Sequence, residues 1–107
     1  MTAFPCTRCG ACCRNIGKLL ATPVVGPQLE AVMAFPHAVL ADGSCSKLGP
    51  DGCTVYEDRP LLCNIDAMHA RYFAELTRTE FHNLNIAACR QLIREQRLPM
   101  SWAPRFV

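Results

Sequence analysis

The stretch Cys6-Thr7-Arg8-Cys9-Gly10-Ala11-Cys12-Cys13 places four thiols within eight residues, and Cys45, Cys53, Cys63 and Cys89 bring the total to eight. A cysteine that only fills a core behaves as a small hydrophobe and has no reason to recur every third residue. Recurrence at that interval suits a metal, because a tight loop can aim several thiolates at one point. The chain is therefore expected to fold around sulfur-bound metal, with all eight cysteines as candidate ligands.

At 107 residues the chain has the size of one domain, taken as residues 1–107. Chains this small are marginally stable and often borrow a staple such as a metal. Half of the residues are apolar, so the sequence reads as globular, and a net charge of +2 does not by itself imply a nucleic-acid partner. Met1-Thr2-Ala3-Phe4-Pro5 lacks the pattern of a secretory signal, and the best apolar run, residues 31–41, is too short for a membrane span and contains Pro36 and His37. The expected location is the cytoplasm, where thiols stay reduced and clustered cysteines read as metal ligands or redox centres.

The spacing predicts a small α+β fold with an N-terminal ligand loop, a short β-ribbon and two or three C-terminal helices. Residues 4–18 form the loop, with Gly10 and Gly17 allowing sharp turns. A short helix is expected from Pro27 to Phe35 and is stopped by Pro36. Asp42-Gly43 and Asp51-Gly52 each precede a cysteine within two residues, suggesting a ribbon whose turns present thiols, with Thr54-Val55-Tyr56 as its last strand. Glu57-Asp58 suit the first turn of a helix carrying Cys63. Asp66 is a candidate cap for a helix to about Leu76 that turns Ala67, Ala70, Phe73 and Ala74 inward. Thr77-Arg78-Thr79-Glu80 reads as a capping box opening a helix to about Leu98, its stripe formed by Phe81, Leu84, Ala88, Leu92 and Glu95, with Cys89 alongside.

Cys6, Cys9 and Cys12 match the front of a bacterial ferredoxin loop, but Ile16 stands where its fourth thiolate would fall. Any fourth ligand must come from a distance. Neighbouring side chains of an extended chain diverge, so Cys12 and Cys13 are expected to serve different sites, or one of them to be spare. Two metals compete. Eight thiolates make two tetrahedral zinc sites, and an iron–sulfur cluster such as [4Fe–4S] also takes four cysteines. Ligand type alone does not separate them. A disulfide scaffold fits poorly with the vicinal pair.

The residues Cys6-x2-Cys9-Gly10-x-Cys12-Cys13-Arg14, then Cys45-x2-Leu48-x2-Asp51-Gly52-Cys53-x-Val55-Tyr56-Glu57-Asp58-Arg59-Pro60-x2-Cys63, resemble the CxxCxxCC family of zinc- or iron-chelating domains, also called YkgJ-type cysteine cluster proteins. The resemblance reaches Cys89. Larger relatives are flagellin lysine N-methylases, thought to carry an iron–sulfur cluster and to transfer methyl from S-adenosylmethionine. This relation favours iron–sulfur over zinc without making this chain a methylase, because no nucleotide-binding glycine loop is present. The implied function is metal binding in a structural or metal-handling role. The alternative is a component of an iron–sulfur redox or methyl-transfer enzyme.

Arg14 and Arg59 are candidate cofactor-binding residues, able to donate hydrogen bonds toward cluster sulfurs. Arg59 has a competing role in pairing with Glu57 or Asp58. Tyr56 is expected to pack, and His37, His69 and His82 are expected to be solvated or hydrogen-bonded rather than ligands. Arg90, Arg94 and Arg97 read as a solvated strip without the aromatic interleaving of a nucleic-acid surface. The apolar tail, residues 99–107, would pack back or meet a protein partner.

Overall fold

The computed structural model describes residues 4–50 and 52–107. Met1, Thr2, Ala3 and Asp51, the acid of the second Asp-Gly turn, lie outside them. In chain order the elements are α1 (Ala11–Arg14), α2 (Ile16–Ala21), α3 (Leu29–Met33), β1 (Leu48–Gly49), β2 (Gly52–Cys53), α4 (Ile65–Tyr72) and α5 (Arg78–Glu95). Single 3₁₀ turns occupy Tyr56–Asp58, Leu61–Cys63 and Met100–Trp102. This arrangement agrees with the small α+β expectation.

The expected ligand loop is loop only as far as Gly10; beyond it the chain winds into α1 and α2. Gly10 makes the change of direction at φ 82°, a left-handed conformation that side chains disfavour. A Cβ there would also lie 2.9 Å from Leu48 Cδ1. Gly17 serves close approach rather than a turn. It sits inside α2, its N–H donates to Gly43 O at 2.8 Å, and a Cβ would stand 2.9 Å from Gly43 Cα.

The first Asp-Gly turn takes part in the ribbon region. Asp42 accepts from the Ser44 N–H and hydroxyl, and Val39 bridges Cys45. Downstream, β1 and β2 pair antiparallel with Leu48 opposite Cys53 and Gly49 opposite Gly52. Thr54-Val55-Tyr56 does not extend β2, because Tyr56 opens a 3₁₀ turn. The helix expected after Glu57 is likewise two separate 3₁₀ turns, interrupted where Arg59 and Pro60 are extended.

Packing is strongest in the C-terminal part. Asn64, not Asp66, caps α4 by accepting from the Ala67 N–H at 3.1 Å. The helix ends at Tyr72, turning Met68 inward while Ala70 and Ala74 stay exposed. Met68, Phe81 and Ala31 form one core cluster, flanked by Ile65, Phe73 and Leu76. The capping box of α5 forms as expected, with Thr77 and Glu80 exchanging side-chain and backbone hydrogen bonds. Its buried stripe, however, is Phe81, His82, Ile86 and Ile93. Leu84, Ala88 and Glu95 are exposed, so the stripe is rotated from the expected register. A second cluster joins Ile93 to Ala11 of α1 and Ala103 of the tail. The tail packs back: Asn83 exchanges two hydrogen bonds with the Val107 backbone, and Arg90 donates to Pro104 O.

Candidate metal centre

All eight cysteines line one cavity of about 300 Å³ between the N-terminal segment, the ribbon, the Leu61–Cys63 turn and α5. Local structure explains how each arrives there. The left-handed Gly10 turns Cys12 and Cys13 back into a helical turn just after Cys6 and Cys9. The Cys45 N–H donates to Cys13 O at 2.9 Å, locking the second cysteine-bearing segment beside the first. Gly52, at φ 100°, lets the ribbon press against the Arg8 backbone; a Cβ there would lie 2.5 Å from Arg8 O. Cys63 is carried by its 3₁₀ turn, held at Asn64 by α4, while Cys89 projects from the middle of α5. All eight are free thiols: Cys45 is buried, Cys12 is exposed and the other six are half-buried. Among the described residues, no three His, Cys, Asp or Glu side chains converge as a closed one-ion site. The thiols surround a space instead.

Backbone donors reach two of the sulfurs. The Arg8 N–H donates to Cys6 Sγ and the Lys47 N–H to Cys45 Sγ, each at 3.4 Å. Cys12 and Cys13 do not diverge as an extended chain would require. Both sit in the helical turn of α1 and line the same cavity. The neighbouring Cys13 thiol lowers Cys12 to about 7, and Cys12 raises Cys13. Burial, then the charge of neighbouring thiolates, pushes Cys63 and Cys89 each up to about 12. Cys63 and Cys89 therefore resist ionising unless a cation compensates them.

Cys12, Cys6 and Cys9 act on Cys89, and Cys12, Cys45 and Cys53 act on Cys63, so Cys12 neighbours both groups. Cys9 packs against the cluster of Ala11 and Ile93, and the Cys45 N–H ties its segment to Cys13.

Arg59 also lines the cavity, and its charge favours the thiolates of Cys12 and Cys63. It does not pair with Glu57 or Asp58; Glu57 is taken by Arg8 at 3.0 Å. Tyr56 packs as expected, its ring sandwiched between the Arg8 and Arg59 guanidinium groups at 3.7 and 4.0 Å. Arg14 is placed elsewhere. It borders a polar recess with Lys18, Asp42 and Glu95, on no part of the cysteine cavity wall.

The histidines differ from one another. His69 contacts Leu76 O, and buried His82 contacts Asp66, both at 2.8 Å. His37 lines the cysteine cavity, a placement that its position after Pro36 gave no reason to expect.

A family model spans residues 5–90, an interval that contains every cysteine of the cavity. The chain belongs to the CxxCxxCC family. That family is described as a "Putative zinc- or iron-chelating domain". In this CxxCxxCC domain, the four N-terminal thiols that give the family its name and the four distant ones share one chamber. No curated protein and no solved structure matches the chain. Among the described residues, no helix is long and apolar enough to cross a membrane.

Proposed function

We propose that this CxxCxxCC domain binds an iron–sulfur centre through its eight cysteines and serves a structural or metal-handling role in a reducing compartment, the cytoplasm. The observation that carries this reading is the shape of the thiol-lined chamber. A lone zinc ion lies about 2.3 Å from each of four sulfurs and fills the space between them. A cavity of about 300 Å³ is many times the roughly 30 Å³ share of one water molecule. A polynuclear group, with metal and sulfide of its own, fits such a space better than a single ion. The eight thiols that line it exceed the four thiolates that a [4Fe–4S] cluster takes, gathered from far apart in the chain.

Other residues support the same reading. Backbone N–H groups donate to the Cys6 and Cys45 sulfurs, and Arg59 offsets charge next to Cys12 and Cys63. When bound, such a centre supplies one-electron chemistry or a rigid cross-link. The chain's own residues ligate it, neutralise it and limit water around it.

Anaerobic purification with an absorption spectrum and metal analysis tests this. The expected protein is brown, absorbs near ~400 nm and contains about four or about eight irons with equivalent labile sulfide. A colourless protein with about two zinc ions and no iron contradicts the proposal, since zinc is d¹⁰.

A further inference from the structure

Two buried polar atoms of the cavity wall, His37 Nε2 and Arg59 Nε, have no hydrogen-bond partner among the described residues. Leaving such a group unpaired is costly, so a buried orphan calls for an explanation. The third orphan, Gln96 Oε1, belongs to a residue of the separate polar recess.

Both cavity residues are held in place. The segment after His37 is laid against Cys45, with Ala38 O accepting from the Ser46 N–H at 2.9 Å and Val39 bridging Cys45. The His37 ring meets Phe35 edge-on, with centroids 5.6 Å apart. Arg59 is fixed by stacking on Tyr56. Guanidinium nitrogen can only donate. Among the described residues, no carboxylate or carbonyl hydrogen-bonds the other ring nitrogen of His37, the contact that commonly orients a metal-ligating imidazole. Eight thiols line the same cavity, so a ligand set there needs no imidazole.

We propose that His37, with its proton on Nε2, donates a hydrogen bond to a sulfur of the group held in the cavity, as Arg59 does through Nε, and so acts as a positioning residue that tunes this group. The inference rests on the iron–sulfur reading above. Donors to sulfur draw off negative charge and favour the reduced state, which raises the reduction potential.

The test compares the full chain with His37→Ala and His37→Gln, all purified anaerobically, by iron and labile-sulfide content and by midpoint potential in a mediated titration. His37→Ala is expected to retain its iron and sulfide while its potential shifts to more negative values. His37→Gln, whose amide can still donate, is expected to recover much of that shift. An iron-loaded His37→Ala with an unchanged potential overturns the inference alone. Loss of iron stoichiometry from both variants also overturns it, by making His37 a ligand. Absence of iron from the unsubstituted protein removes the iron–sulfur reading itself.

Discussion

The two parts of this chain are held together by different means. Among the described residues, the buried apolar residues of 4–63 are Ala11, Ile16, Ala31 and Cys45, only one of which is large. Residues 64–107 bury Met68, Phe81, Ile86, Ile93 and Ala103, with Phe73 and Phe81 stacked at 5.0 Å. Fully burying one large aliphatic or aromatic side chain contributes about 1.5–3 kcal/mol. The helical part therefore supplies the large side chains of both core clusters, to which Ala11 and Ala31 of the cysteine part attach, while the cysteine part has turns, short helices and a thiol-lined chamber. The contrast teaches where metal would matter: it would supply to residues 4–63 what hydrophobic burial supplies to α4 and α5. In that event binding and folding of the cysteine part are one event.

The largest expected effect comes from removing a thiol from the chamber. Cys63→Ser should remove metal and cooperative folding of the cysteine part together, read by metal analysis alongside circular dichroism. A folded variant with its full metal content would show that Cys63 is not a ligand. Next, Phe81→Ala attacks the other part, opening a cavity beside Phe73 and His69. It should cost about 3–5 kcal/mol in denaturant unfolding while leaving metal stoichiometry intact.

Asp66 joins the two parts. It accepts from the Phe4 N–H at 2.8 Å and contacts Arg78 and buried His82. Burial opposes its ionisation, but Phe4, His82 and Arg78 outweigh that and hold the carboxyl below its usual range. Its contribution is then complete above about pH 4 and is lost as pH falls through the lower folded-state value. Asp66→Ala should cost about 1–3 kcal/mol at neutral pH and flatten the acid limb of the stability curve. An unchanged acid limb would show that this latch is not what titrates. The smallest effect belongs to Thr77→Ala, which removes one side of the capping box. About 1 kcal/mol is expected, seen as a drop in thermal midpoint with the metal unaffected.

The same contrast explains what was legible in the sequence. The cysteine spacing pointed to eight convergent thiols, and Ile16 showed that the first four could not close a ferredoxin-like site. Thr77 to Glu80 announced the start of α5. These features are local, and local chemistry enforces them. The register of α5 was not legible, because its stripe includes His82, which is buried only because Asp66 receives it from another helix. The entry of both Cys12 and Cys13 into one cavity wall depends on α1, a single helical turn launched by the left-handed Gly10. Arg14 and Arg59 both adjoin cysteine-bearing segments, yet only Arg59 reaches the chamber, because Tyr56 stacks it there. His37 enters the wall through the Ala38–Ser46 and Val39–Cys45 pairings, which link chain segments that the sequence does not join.

Amide hydrogen exchange on the loaded protein before and after anaerobic chelation is the most direct test of this division. Gly17, Cys45 and Thr54 donate the backbone hydrogen bonds that close the cysteine part, at 2.8, 2.9 and 2.8 Å. The account predicts that these amides lose protection when metal is removed, while those around Ile86 and Ile93 of α5 keep most of theirs. Equal protection in both parts with and without metal would contradict it.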